Sequence, residues 1–408
     1  MPLALSLIFK GVDVMAQRHE ILSDNIASLQ VVAGDDWLSP PITMLHGGDP
    51  INVSFDDLTH EYRRYAYRLE HCEADWSVST ELFASDFCEG FNENNIIDDV
   101  TESINTNTLY THYRLQIPNE NCKIKMSGNY KLTVYDENTG EEVMNACFMV
   151  VDPKVNVRLG VTSNTDIDTN KSHQQVNMDL NFSGIKVNRF DEEIKTVVMQ
   201  NGRWDNAVQN ATPQYVTADA ASWNHNKALI FNAGNEYRKF ETLDVTHTTM
   251  GIESVEWDGK DYHANVWTDE PRTNYVYDED ANGAFYIRNS DNRENDVTTE
   301  YVIVNFRLKA NRQNNDIFIN ANWTNDRFLD KYKMVYDPAT ELYTASIKLK
   351  QGYYSYQYLS LDSEGKAHPL ASEGNFFQTE NMYQALVYYR GSGQRTYQLV
   401  GHQQVNLK

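Results

Sequence analysis

Apolar and polar positions alternate with a period of two along much of this chain. The alternation is plain from Ile51 to Phe55 and recurs from Tyr130 to Tyr135, Val302 to Leu308, Tyr343 to Leu349 and Tyr353 to Leu361. A period of two sends successive side chains to opposite faces of an extended backbone, so each segment predicts a strand with one buried face. Turn-forming clusters punctuate them: Asp136-Glu137-Asn138-Thr139-Gly140, Asp362-Ser363-Glu364-Gly365 and Arg390-Gly391-Ser392-Gly393. Beyond the first apolar run, no segment carries a clear helical period. Many short strands at this spacing predict an all-β protein made of tandem immunoglobulin-like or early-set β-sandwich domains.

At 408 residues the chain is too long for one sandwich and suits three domains of ordinary size. The run Cys147-Phe-Met-Val-Val-Asp-Pro153 reads as a buried strand closed by a proline, which ends a first domain at 17–153. Polar, turn-rich sequence from Arg288 to Thr299 precedes a fresh strand at Glu300. That divides the remainder into a middle domain at 154–299 and a C-terminal sandwich at 300–408. Residues 1–16 read as the remnant of a signal peptide: Pro2 to Phe9 is apolar, and Val14-Met15-Ala16 offers a small-x-small cleavage site. The apolar run is far too short for a bilayer span, which needs about 20 residues. Export without membrane insertion is the expectation.

Composition narrows the partners. Fifty-eight acidic residues against 35 basic ones give a net charge of -23. Nucleic acid is excluded as a partner on this ground, because phosphate binding requires clustered Lys and Arg. Anionic lipid head groups are disfavoured for the same reason. A plain gain in solubility also accounts for the charge. The 25 tyrosines fit pleated, half-buried surfaces. The cysteines, Cys72, Cys88, Cys122 and Cys147, all lie in the first 150 residues and form no C-x-x-C pair. An even count permits a disulfide in an oxidising compartment, but the spacing specifies none, and buried free thiols are the plainer reading.

Three constellations invite chemistry. Asp278-x-Asp280-x-Asn282-Gly283 matches the first half of a calcium loop, but position twelve is Asn289 where a bidentate acid is needed. A hairpin with Asn-Gly at its tip, between strands at Val276 and Phe285-Tyr286-Ile287, explains the same residues. His71-Cys72 suggests a thiol nucleophile or metal ligand, yet neighbours on a strand point to opposite faces. A strand end followed by a turn is the simpler account. The aromatic set Trp323, Tyr332, Tyr353, Tyr354, Tyr356 and Tyr358 could stack on sugars if its rings faced solvent, with Trp323 and Tyr353 the candidate platform. Such a face more often packs a core. No nucleophile elbow, zinc helix, P-loop or dinucleotide fingerprint occurs, and nothing pairs two carboxylates across a cleft. No catalytic, cofactor-binding or metal-binding residue is therefore assigned, and the expectation is a protein without cofactor that binds rather than catalyses.

Several segments taken in order resemble the plug-protein family of the bacterial type IX secretion system. In the first domain they are Ser54-Phe-Asp-Asp-Leu58, His71-Cys-Glu-Ala-Asp-Trp76, Asp86-Phe-Cys-Glu-Gly-Phe-Asn92, Tyr110-Thr-His-Tyr-Arg-Leu115, Ser127-Gly-Asn-Tyr130 and Val150-Val-Asp-Pro-Lys154. Further on come Gln200-Asn-Gly-Arg-Trp-Asp-Asn206, Gly234-Asn-Glu-Tyr-Arg238, Asp269-Glu-Pro-Arg272, Lys350-Gln-Gly-Tyr-Tyr354, Thr379-Glu-Asn381 and Val387-Tyr-Tyr-Arg390. The resemblance implies a periplasmic protein that associates with the giant outer-membrane β-barrel translocon and closes its periplasmic mouth when no cargo occupies it. It carries over no partner-binding residues. The last domain also resembles early-set sandwiches related to glycogen-binding modules, with Ile319-Asn-Ala-Asn-Trp323 near their Gly-x-x-x-x-Trp stretch, although Asn320 and its neighbours include no glycine. The alternative this leaves is a periplasmic protein that binds polysaccharide through that sandwich.

Overall fold

The computed structural model describes residues 19–407. The expected signal-peptide remnant at 1–16 lies outside them. The all-β expectation holds: antiparallel sheets dominate, and the α-helices are single four-residue turns such as Ala84–Phe87 and Asn295–Thr298.

Three sandwich cores organise these sheets. In the first, a six-stranded sheet built on Tyr65–Cys72, Gly128–Asp136 and Glu142–Val151 faces a four-stranded sheet built on Ile26–Ala33, Ile51–Asp57 and Thr111–Ile117. Ile51, Val53 and Phe55 point between them and are fully buried, as their period of two requires. The second core lies between a sheet containing Asn156–Thr162 and His173–Asn181 and one containing Ile194–Gln200, Met382–Tyr389 and Gln398–Asn406. The third packs Gly352–Leu361 and its neighbours over a sheet containing Tyr301–Lys309 and Leu342–Lys350. Val302, Val304, Phe306 and Leu308 face Tyr354, Tyr356 and Tyr358 in that core, so the tyrosine row is interior.

The strand pairing departs from the division expected at residues 299 and 300. Met382–Tyr389 pairs antiparallel with Ile194–Gln200, from Ile194 opposite Tyr389 to Gln200 opposite Tyr383. Tyr383, Val387 and Val400 sit in the second core, not the third. The third unit instead starts with the strand Arg238–Thr242 and ends near the strand Ala367–Pro369, inserted into the second. The turn-rich segment at 288–299 is a loop inside it. Local periodicity marks where strands begin and end but carries no information about a partner some 190 residues away, which is why the boundary was not visible in sequence.

The first and third units meet through buried charge. Lys350, the last residue of its strand, is 1% exposed, and its Nζ donates to Asp56 Oδ2 at 2.6 Å and to the Asp296 carbonyl at 2.6 Å. Tyr301 donates its hydroxyl to the same Asp56 oxygen at 2.6 Å, and His112 Nδ1 donates to Asp56 Oδ1 at 2.7 Å. The ammonium also lies 4.1 Å from the centre of the Tyr110 ring. Burial alone would raise the Asp56 carboxyl, but Lys350 and His112 outweigh it and hold it below the usual carboxylate range. Burial pulls the Lys350 ammonium down, and Asp56 opposes that shift.

Removing one partner of such a pair strands the other charge in the interior, at a cost of about 3–5 kcal/mol. Lys350→Met is expected to lose stability on that scale in urea unfolding near neutral pH, while the double change Lys350→Met with Asp56→Asn regains most of it. Asp56 has a folded pKa below its unfolded value of about 3.9. Its contribution is thus fully present above that value and is lost as the pH falls through the folded one. The penalty of Lys350→Met should shrink over the same acid window. A penalty that persists unchanged into strong acid, or a double variant as unstable as the single, would contradict this account.

Candidate functional site

The segments singled out in sequence converge on the seams between units. Ser54–Leu58 supplies Asp56, Tyr110–Leu115 supplies Tyr110 and His112, and Lys350–Tyr354 supplies Lys350, so the seam just described is built from three of them.

The seam between first and second units uses His71–Trp76. The strand Tyr65–Cys72 ends there and a turn follows, as read from sequence. Glu73 in that turn accepts from Thr396 Oγ1 at 2.7 Å and from the Tyr397 backbone N–H at 3.1 Å. Tyr388 donates to Asn129 Oδ1 at 2.9 Å, and the Asp152 and Lys154 N–H groups donate to Leu399 and Val400 carbonyls. Below them Trp76 meets Trp204 edge-on at 5.7 Å, within an apolar cluster that also holds Cys72, Met149, Met199 and Leu386. His71 is buried between Ser79 Oγ and the Ser127 carbonyl, and burial pulls its imidazole below the ordinary range. Burial pushes the Cys72 thiol up to about 12, so it stays protonated at neutral pH. The adjacent pair therefore packs a seam and forms no nucleophile and base.

The seam between second and third units carries both chain crossings. Arg238 is the hub: Nη1 donates to Asp269 Oδ1 at 2.7 Å, while Nη2 and Nε fork onto Glu373 at 2.8 and 2.9 Å. Arg272 Nη2 also donates to Glu373 at 2.8 Å, and Tyr356 and Tyr358 donate to Asp269 Oδ2. Thr379 Oγ1 donates to the Gly234 carbonyl at 3.0 Å, and Asn381 Nδ2 to the Ala233 carbonyl at 2.8 Å. Asn201 Nδ2 closes the set on Asn381 Oδ1 at 2.8 Å. Gly234–Arg238, Asp269–Arg272, Thr379–Asn381 and Gln200–Asn206 thus all meet here. Glu373 belongs to none of these segments and had no signal in sequence; its importance follows only from the fold that carries it to Arg238.

A cavity of about 300 Å³ is lined by all three units, with Trp37 and Met149 from the first, Met199 and Trp204 from the second, and Asp280 and Phe285 from the third. Asp280 accepts from the Asn282 N–H at 2.6 Å and from the Tyr237 N–H. Asn282 and Gly283 both take positive φ, as an Asn-Gly turn requires. The expected hairpin does not form, however: Val276 is exposed outside any strand, and Phe285–Ile287 pairs with Gly352–Leu361. Phe285 stands opposite Tyr354 in that pairing and stacks on it at 5.7 Å. Among the described residues, no group of three His, Cys, Asp or Glu side chains is arranged to hold a metal ion.

Of the two residues proposed as a sugar platform, Trp323 is buried and Tyr353 is half-buried. Trp323 lies in a 3₁₀ turn at Asn322–Thr324, 7% exposed, with its indole N–H donating to the Ser355 carbonyl at 3.1 Å. Phe306, Tyr332 and Tyr354 surround the ring. Tyr353 is half-buried, with the ring of Trp37 from the first unit edge-on at 5.8 Å. Trp323 is enclosed by its own core and is not free to stack on a ligand, whereas Tyr353 keeps part of its ring exposed.

With this geometry in place, comparison with known proteins becomes informative. The family model described as "Type 9 secretion system plug protein 1st domain" matches residues 26–152, the span of the first core. Over that first domain, this chain belongs to the type 9 secretion system plug protein family. A crystal structure of a hypothetical protein from Parabacteroides merdae is similar to this plug-family chain throughout: identity is 37%, the TM-score is 0.92, and 96% of this chain and 99% of that one are covered. A likeness to the C-terminal domain of the antigen I/II-family protein AspA of Streptococcus pyogenes is 8% identical with a TM-score of 0.16, covers 94% of this chain and 99% of that one, and carries no argument. No curated protein matches.

Two outcomes test the site. Trp323→Ala should destabilise the third unit by about 3–5 kcal/mol, the usual cost of emptying a large aromatic site in a core, read from thermal or urea unfolding; a change below 1 kcal/mol would mean the ring is not core. Burial, with Glu236 adding to it, pushes Asp280 up to about 7. Its folded state therefore holds a proton that the unfolded chain gives up near pH 4, so stability should fall between about pH 4 and pH 7. Asp280→Asn is expected to flatten that part of the pH–stability curve, and an unchanged slope would overturn the assignment.

Proposed function

We propose that this chain is a periplasmic plug: it binds the outer-membrane barrel of the type IX translocon and seals its periplasmic mouth while no cargo is passing. Membership of the plug family supports the association. The observation that carries the reading is the set of seams. Many of the segments that resemble the plug family lock three sandwiches into one body, by two buried ion clusters and an apolar seam. A seal needs area and a fixed shape, and a body whose units do not move loses little conformational entropy on binding. The net charge of -23 keeps such a body soluble when unbound and makes anionic membrane surfaces poor competitors. The polysaccharide-binding alternative draws no support from Trp323, which is enclosed by its own core.

The test is an affinity pull-down of the tagged chain from detergent-solubilised envelope, paired with the permeability of a strain lacking it to a large hydrophilic antibiotic. Co-purification of a very large β-barrel in near-equal amount, together with increased antibiotic sensitivity in the deletion strain, is expected. Absence of any barrel from the retained proteins, with unchanged permeability, would end the plug reading.

A further inference from the structure

Cys88 and Cys122 are brought together by the short ribbon in which Cys88–Gly90 pairs antiparallel with Cys122–Ile124. The register sets Cys122 opposite Gly90 and Ile124 opposite Cys88, so the two thiols lie on one face of the ribbon, diagonal to each other. Their sulfur atoms are 2.9 Å apart, and both side chains belong to the first core, 3% and 0% exposed. A disulfide bond of about 2.05 Å is within reach of a small rotation of either side chain. Cys72 and Cys147 are not placed to bond to each other. Cys72 pairs with Asn129 and Cys147 with Lys131, on opposite sides of the strand Gly128–Asp136, so two strand spacings of about 4.8 Å each separate their backbones. The fold brings the sulfur atoms of Cys88 and Cys122 within reach of a bond.

We propose that Cys88 and Cys122 form a structural disulfide when the chain folds in the presence of a disulfide donor. The exchange balances in two steps. A thiolate at Cys88 attacks the donor disulfide, forming a mixed disulfide and expelling one donor thiolate. Cys122 then gives up its proton, and its thiolate attacks the Cys88 sulfur, expelling the second donor thiol. Two electrons pass to the donor, two protons leave the protein, and one sulfur–sulfur bond replaces two sulfur–hydrogen bonds. The donor is glutathione disulfide in vitro or a disulfide-carrying thiol oxidase in an oxidising compartment. Both thiols are enclosed once the core closes, so the exchange belongs to folding or to a local opening of the ribbon.

The bond would close a loop of 34 residues that contains the edge strands Asn95–Ile96 and Asp99–Glu102. It would also brace the arm that carries two of the most exposed aromatic side chains, Phe83 at 75% and Phe91 at 72%. A cross-link of this kind restricts the unfolded chain and so favours the folded one.

The full-length chain, unfolded and reduced, is refolded in a glutathione redox buffer, then denatured, alkylated and mapped by mass spectrometry without reduction. Two alkylatable thiols, at Cys72 and Cys147, and a linked pair of peptides containing Cys88 and Cys122 are expected. Four alkylated thiols under oxidising conditions, or a link that includes Cys72 or Cys147, would overturn the proposal. The oxidised chain should also have a higher urea midpoint than the reduced one, and Cys88→Ala should abolish that difference. If Cys88→Ala fails to fold, the peptide map of the unaltered chain still decides. Refolding in vitro tests the bond independently of where the chain works, so a failure here leaves the plug reading standing.

Discussion

A unit inserted into another is tethered by two lengths of chain side by side, and whatever fixes those crossings fixes its orientation. Here the incoming crossing ends at Arg238 and the outgoing one begins near Glu373, and the guanidinium forks onto that carboxylate across the gap. Asp269 completes the charge balance from a third segment, with two tyrosine hydroxyls donating to its other oxygen. Burial alone would raise the Glu373 carboxyl, but Arg238 and Arg272 outweigh it and hold it below the usual range. Burial also works against the Arg238 charge, and the two carboxylates outweigh it. Planar bidentate geometry makes this contact directional as well as strong, which a lysine at the same place would not provide. These contacts hold the two crossings side by side without any residue of the first unit.

That orientation in turn decides whether Lys350 finds Asp56. A lysine at the end of a strand would ordinarily snorkel to water. In the assembled molecule it has no such route, because the first unit closes over it and supplies one carboxylate, one carbonyl contact being added from its own unit. The two ion clusters are therefore coupled through the fold. A misoriented third unit would leave Asp56 and Lys350 each buried or exposed without its counterpart. Buried pairs of this type contribute little net stability over an apolar contact, but they penalise every alternative arrangement heavily. Specificity of one arrangement, more than raw stability, is what the seams provide.

The strands were largely legible because their pattern is local. Val302, Val304, Phe306 and Leu308 announce a buried face within seven residues, and the Tyr354, Tyr356 and Tyr358 row does the same. The seams were legible only as separate segments with no stated partner. Gly234–Arg238 and Asp269–Arg272 stand out in sequence, yet nothing in either says that Arg238 reaches Asp269 or that both depend on Glu373. The insertion was hidden for the same reason, since the pairing of Ile194 with Tyr389 is a long-range fact. Trp323 misled because an aromatic that stacks on sugar and an aromatic that fills a core share one sequence pattern. Only the surrounding Phe306, Tyr332 and Tyr354 distinguish them.

Rigidity has a consequence for how such a protein could serve as a seal. Association of two folded bodies costs several kcal/mol in lost translation and rotation, and each mobile hinge adds to that cost. Three sandwiches on flexible linkers would have to be ordered one by one at the barrel, and each would leak when it opened. With both crossings clamped at Arg238 and the first unit fixed through Lys350, the three units would present one surface of fixed shape to such a partner. Local openings then cost the breaking of a buried ion cluster, not the swing of a linker. A pore that must stay closed without chemistry is better served by that arrangement than by any single tight contact, because a seal fails at its most mobile point.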